Sequence, residues 1–93
     1  MNERVFAETL ALQVLTWLLQ DDDRAQAFLA ATGADPADLA TSAGTPAFLG
    51  AVLDFLLTDD GWVTGFCDAA GQPYTAPMRA RVALPGFSQM HWT

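Results

Sequence analysis

The sequence predicts an all-α fold, a compact bundle of five or six helices built from two similar helical halves, and three observations carry that expectation. Sliding the chain against itself by 38 positions sets Leu18, Leu19, Asp21, Asp22, Phe28, Ala31 and Gly33 over Leu56, Leu57, Asp59, Asp60, Phe66, Ala69 and Gly71. Two windows, 8–20 and 46–58, repeat apolar residues at helical spacing. Aspartates, prolines and glycines recur where helices would begin and end.

In the first window Leu10, Val14, Trp17 and Leu18 share a helical face with Leu15 and Leu19 beside it, a stripe wide enough for a helix packed on more than one side. The second window repeats it with Phe48, Val52, Phe55 and Leu56, flanked by Leu49 and Leu53. These are the expected central helices. Thr45 and Pro46 supply an N-cap oxygen and a fixed first-turn φ for the second.

Each central helix is followed by acids, a shorter helix and a glycine. Asp21, Asp22 and Asp23, and again Asp59 and Asp60, stand where free N–H groups and a positive helix end need them. The spacing predicts helices over 23–32, with Ala25, Phe28, Leu29 and Thr32 on one face, and over 61–70, with Trp62, Phe66, Ala69 and Ala70. Gly33 and Gly71 fit the left-handed position after a helix. Asp35, Pro36 and Asp38 open a further helix running to about Ala43. In the second half Pro73 and Pro77 compete for that role, and a helix carrying Met78, Val82 and Leu84 ends before Pro85. The chain is expected to form one domain, 1–93, with halves 7–44 and 45–84 and a C-terminal tail 85–93, which begins like a third copy: at a shift of 39, Pro46 and Phe48 lie over Pro85 and Phe87.

A chain of 93 residues buries roughly 60–65% of its unfolded surface and needs no staple to fold. Its 52% apolar but 16% charged composition leaves few charges to cover the surface, which favours a dimer or a partner over a solitary monomer. The net charge is −7, with no lysine, so a phosphate backbone or an anionic leaflet would repel it. Any anion-facing surface would have to lie near Arg79 and Arg81. A single cysteine, Cys67, points to a reducing compartment. The apolar run before Asp21 lacks a basic n-region and a cleavage site, and is shorter than the ~20 residues that span a bilayer, so the expectation is a soluble cytoplasmic protein.

Motifs that would carry chemistry fail residue by residue. Leu29, Gly33 and Leu39 have helix-turn-helix spacing, but residues 35–43 contain no Arg, Lys, Asn or Gln to read bases. A calcium loop starting at Asp21 would have Gln26 and Thr32 at positions 6 and 12, and one starting at Asp59 would have Thr64 and Ala70, in place of glycine and glutamate. Cys67 overlies Leu29, an inward position, and His91 lies too near the last residue to be held as its base. One cysteine and one histidine do not fill a zinc site. No catalytic, cofactor or metal residues are assigned, and the expected protein is not an enzyme. Trp17, Trp62, Phe55 and Phe66 read as core, with a ligand pocket as the alternative.

The runs PAFLGAVLDFLLTDD, FLAATGADPADL, LALQVLTWLLQDD and RARVALPGF resemble, over residues 7–87, a family of short uncharacterised helical proteins from alphaproteobacteria, a domain of unknown function. The resemblance implies a bacterial, cytoplasmic, all-helical protein and brings no functional residues with it. Elimination and composition lead to a small acidic interaction or regulatory adaptor module, with no cofactor and an unidentified protein partner or a second copy of itself. Phe87, Met90 and Trp92 are its candidate partner contacts. The competing expectation is a carrier or sensor of a small apolar ligand held between the halves.

Overall fold

The Asn2 side chain accepts a hydrogen bond from the Val5 amide at 2.7 Å and starts helix α1, Glu3–Leu19. This start lies five residues ahead of the predicted one. Glu3 in the first turn and the Arg4–Glu8 pair one turn on (3.3 Å) suit an exposed helix end, so the polar N-terminal residues join the apolar window instead of preceding it. The computed structural model describes residues 2–84. They form α1, α2 (Asp22–Thr32), a 3₁₀ turn (Pro36–Asp38), α3 (Leu39–Ser42), α4 (Pro46–Leu57), α5 (Asp60–Ala70) and α6 (Ala76–Ala83), with no strand among them.

The predicted helix-end chemistry is what the backbone uses. Asp21 accepts from Arg24 N at 3.0 Å, Thr45 from Phe48 N at 3.3 Å and Asp59 from Trp62 N at 3.1 Å. Gly33 and Gly71 close α2 and α5 at φ 69° and 68° and donate to Leu29 O and Cys67 O. Pro77, not Pro73, falls within the first turn of α6, where its missing N–H costs nothing.

The core holds Leu10, Val14, Leu18, Phe28, Val52, Leu53, Leu56 and Phe66, each essentially sealed from solvent, and burial of each such side chain is worth about 1.5–3 kcal/mol. Helices α1 and α4 pack together as expected, but α6 packs against both, and more extensively on α1 than α4 does. Its buried residues are Ala76, Pro77, Ala80 and Arg81; Met78 and Val82 face outward. The 3₁₀ turn and α3, which stand in the corresponding place in the first half, bury no residue. The third elements of the two halves therefore differ in role.

Arg81 explains how so small a helix fits. It is 3% exposed, its Nε donates to Asp54 Oδ1 at 2.7 Å, and its guanidinium lies over Gly50, where an added Cβ would come within 3.2 Å. Glycine in mid-helix costs α4 about 1 kcal/mol relative to alanine, and here it makes room for a buried cation that ties α6 to α4.

Candidate functional site

Helix α1 has two apolar faces. Ala7, Leu10, Ala11, Val14 and Leu18 face the core, while Val5, Leu12 and Leu19, spaced by seven residues, are 44%, 43% and 40% exposed. Thr9 and Thr16 complete this outer stripe, and Thr16 donates its hydroxyl to Leu12 O at 3.0 Å, so that hydroxyl is satisfied within the helix. No charge occurs from Thr9 to Gln20.

Beside this stripe α1 and α5 bound an open groove of about 500 Å³. Its α1 wall is Thr9, Leu12, Gln13, Thr16 and Gln20; Trp17 and Phe66 form its apolar part, and Ala69 and Ala70 form the α5 wall. Sequence patterning placed Ala69 and Ala70 inward, yet both are exposed, because α5 buries Phe66 and Cys67 and so turns its last two alanines outward.

Trp17 is held rigidly at the bottom. The Arg24 guanidinium stacks on the indole at 3.9 Å and donates to Trp17 O from Nη2 at 2.8 Å and Nε at 3.3 Å, so one cation serves both the ring and the free carbonyl end of α1. Edge-on contacts with Trp62 (6.4 Å) and Phe66 (5.9 Å) fix the other sides, and Gly65 leaves only 3.3 Å between its would-be Cβ and the indole. Ring contacts continue from Trp62 to Phe55, Phe28 and Phe48, so the four aromatic residues of the sequence reading form a connected core seam with one edge, Trp17 and Phe66, in the groove.

The charged residues divide in a simple way. Each arginine has an intramolecular partner: Arg4 with Glu8, Arg24 with Asp21 and Trp17, Arg79 with Glu3, Arg81 with Asp54. Arg79 also stacks on Phe6 at 4.4 Å. Its two hydrogen bonds hold the Glu3 carboxyl below the usual carboxylate range, and Glu3 in turn raises Arg79. Asp22, Asp23, Asp35, Asp38, Asp59, Asp60 and Asp68 are exposed and carry no arginine partner among the described residues. The surface field is thus acidic, and the two arginines that the sequence offered to an anion are occupied.

Cys67 is 1% exposed; burial, with Asp68 close by, pushes its thiol above the ordinary value, and Sγ points to Pro73 O at 3.4 Å. Tyr74 donates to Asp68 Oδ1 at 2.7 Å, which raises the phenol. Among the described residues no group of three His, Cys, Asp or Glu side chains is placed to hold a metal ion, and no helix is long and apolar enough to cross a membrane. The predicted contacts Phe87, Met90 and Trp92, and His91, lie outside the described residues.

The groove was the part that sequence reasoning missed. Its signal was the uncharged run from Thr9 to Gln20, in which Thr9, Leu12 and Thr16 share a face other than the one carrying Leu10, Val14 and Leu18, hidden because a helix apolar on both faces looks merely buried.

Comparison with curated proteins and with solved structures finds no match. Residues 4–87 match the family described as protein of unknown function DUF3572, and the chain belongs to that family.

Proposed function

We infer that this protein is a small acidic, non-enzymatic interaction module of the bacterial cytoplasm, an adaptor or regulatory subunit whose docking face is the groove between α1 and α5. The observation that carries the reading is the uncharged outer face of α1 beside the groove: Leu12 stands 43% exposed between Val5 and Leu19 and lines the groove with Trp17, which Arg24 holds in place. Isolated exposed apolar residues need no explanation, whereas a continuous stripe beside a groove marks a contact surface. Cys67 is buried with its thiol raised above the ordinary value, so it is not poised as a thiolate nucleophile, and no reaction is assigned to it.

The duplication belongs to the same reading. Trp17 meets Phe66 as Phe55 meets Phe28, and the paired caps Asp21 and Asp59, Gly33 and Gly71 keep the 38-residue offset. Two related halves would build the groove where the first helix of one crosses the second helix of the other.

A second reading, a carrier of a small apolar ligand, draws on the groove volume of about 500 Å³, which lies within the range of ligand sites. Its threonine and glutamine wall and its openness fit a peptide face better.

A photo-crosslinking residue at Leu12, compared with the same residue at exposed Ala40 and at Trp92, tests the module in its native cytoplasm. One defined protein adduct from position 12 and none from position 40 is the expected result. Adducts from position 92 alone would move the contact to the tail, and equal adducts everywhere would end the proposal.

A further inference from the structure

We propose that the α1/α5 groove receives an amphipathic helix from a partner protein, with its apolar seam over Leu12, Trp17 and Ala70 and lysines or arginines on its flanks. The proposal rests on the reading of the groove as a docking face and names what docks there.

Three features of the molecule select this occupant. The first is geometry: Val5, Thr9, Leu12, Thr16 and Leu19 follow the alternating four-and-three spacing of a helix seam that meets a second helix. The lining run from Thr9 to Gln20 spans about three turns, or about 17 Å, and Thr16, Ala69 and Ala70 are small enough to let a second backbone approach to helix-packing distance. An extended strand would find no sheet edge here, since the described residues contain none.

The second is charge. Seven exposed aspartates carry no arginine partner among the described residues, and three of them border the uncharged lining: Asp22 and Asp23 follow Gln20 and Asp21, and Asp68 precedes Ala69, while Glu8 and Asp21 are already paired with Arg4 and Arg24. A partner with cationic flanks would meet opposite charge on each side of an apolar seam, the arrangement that steers encounter and fixes register. A second copy of this chain would instead bring −7 toward −7.

The third is a helix end. Ala69 and Ala70 of the α5 wall are the last residues of their helix, which has no basic residue in its last turn, whereas the end of α1 is already met by Arg24. The negative end of the α5 dipole adds to the attraction for a cation placed there.

The test uses two fluorescein-labelled 18-residue peptides with the same leucine seam, one with lysine and one with glutamate at every other position. Their affinities for the full chain, for L12Q/A70Q and for D22N/D23N/D68N are read by fluorescence anisotropy. The first variant keeps the net charge and changes two exposed positions, so the fold is expected to persist and circular dichroism checks it. The lysine peptide should bind and lose at least about tenfold in affinity to L12Q/A70Q, and several-fold to the asparagine variant, with weakening as salt rises. The glutamate peptide should bind at least about a hundredfold more weakly.

Equal affinity of both peptides, still lost in L12Q/A70Q, would overturn the cationic partner and leave the groove standing as a docking face. Lysine-peptide affinity that L12Q/A70Q leaves unchanged would mean attraction by charge alone and would end both readings. A stable dimer in sedimentation that L12Q dissociates would assign the groove to a second copy. Tighter peptide binding by F87A/W92A would assign it to the chain's own tail, and either result overturns the proposal.

Discussion

Trp17 of α1 meets Phe66 of α5 edge to face at 5.9 Å, and the residues 38 places from each, Phe55 of α4 and Phe28 of α2, meet in the same way at 5.5 Å. Each contact joins the first long helix of one half to the second helix of the other. Trp17 has Arg24 stacked on it, and Phe55 has Trp62, again 38 residues on, at 5.3 Å. The halves are stitched across their boundary, so neither owns a complete core.

A fragment ending at Gly44 should therefore be largely unfolded. It keeps Leu10, Val14 and Leu18 but loses α4 and α6, against which α1 packs, and it loses Phe66 and Trp62 from Trp17. About half of a 93-residue chain is too small to bury an apolar stripe alone. Far-ultraviolet circular dichroism should show low helicity and a broad thermal trace, and a cooperative melt would contradict the shared core.

Substitutions at the paired helix ends test whether the halves are energetic equivalents. At Gly33 and Gly71 an added Cβ meets nothing within 4 Å, so G33A and G71A report backbone strain at φ 69° and 68° without steric clash. Each should cost about 1–2 kcal/mol in urea unfolding, and D21A and D59A about 1 kcal/mol each. Costs that differ by more than about 1 kcal/mol within a pair would separate the halves energetically.

How much of this was legible in the sequence follows the range of the interactions. The caps at Asp21, Thr45 and Asp59 and the glycine stops were legible because each depends on a backbone group at most four residues away. The start of α1 was missed because Glu3 and Arg4 look like a polar lead-in until Asn2 is seen capping Val5. Long-range choices were not legible. Nothing near Gly50 announces that Arg81, 31 residues away, will cover it, and the exposed side of α1 is recognisable only once α6 and α4 occupy the other.

The Gly50 and Arg81 contact gives a double-mutant prediction. In an ordinary helix interior G50A would gain about 1 kcal/mol. Here the Cβ would sit 3.2 Å from a guanidinium that is 3% exposed and held by Asp54, so the gain should vanish or reverse. Shortening the arginine to leucine removes the obstructing atoms, and in R81L the same G50A change should recover about 1 kcal/mol. Equal effects in both backgrounds, measured by urea unfolding, would show that the contact carries no energy.

The Glu3–Arg79 pair predicts an acid response at the docking of α6 on the start of α1. Hydrogen bonding to Arg79 lowers the Glu3 carboxyl in the folded chain, so the pair contributes above the ordinary carboxylate value of 4.5 and its contribution fades as pH falls through the lower folded value. Both side chains are exposed, and the effect should be small and sensitive to salt. E3Q should lower stability slightly at neutral pH, converge with the wild type in acid, and so make the loss of stability below pH 4.5 less steep. A side-chain carboxyl titration of Glu3 by NMR, midpoint below the ordinary value and restored by R79Q, checks the cause directly.

Cys67 titrates with the opposite consequence. Burial raises its thiol above the ordinary 9.0, so the unfolded chain loses that proton first and the folded state loses stability as pH climbs through that region. The reactive species is the thiolate, and the native side chain is both 1% exposed and held protonated beside Pro73 O. At pH 8 a disulfide reagent should modify native Cys67 at least about a hundredfold more slowly than the urea-unfolded chain. C67A should remove the thiol's share of the high-pH loss and introduce a small core void, leaving the peptide affinity of the α1/α5 groove unchanged because Cys67 does not line it. Rapid native modification would place the thiol at the surface and reopen Cys67 as a reactive group.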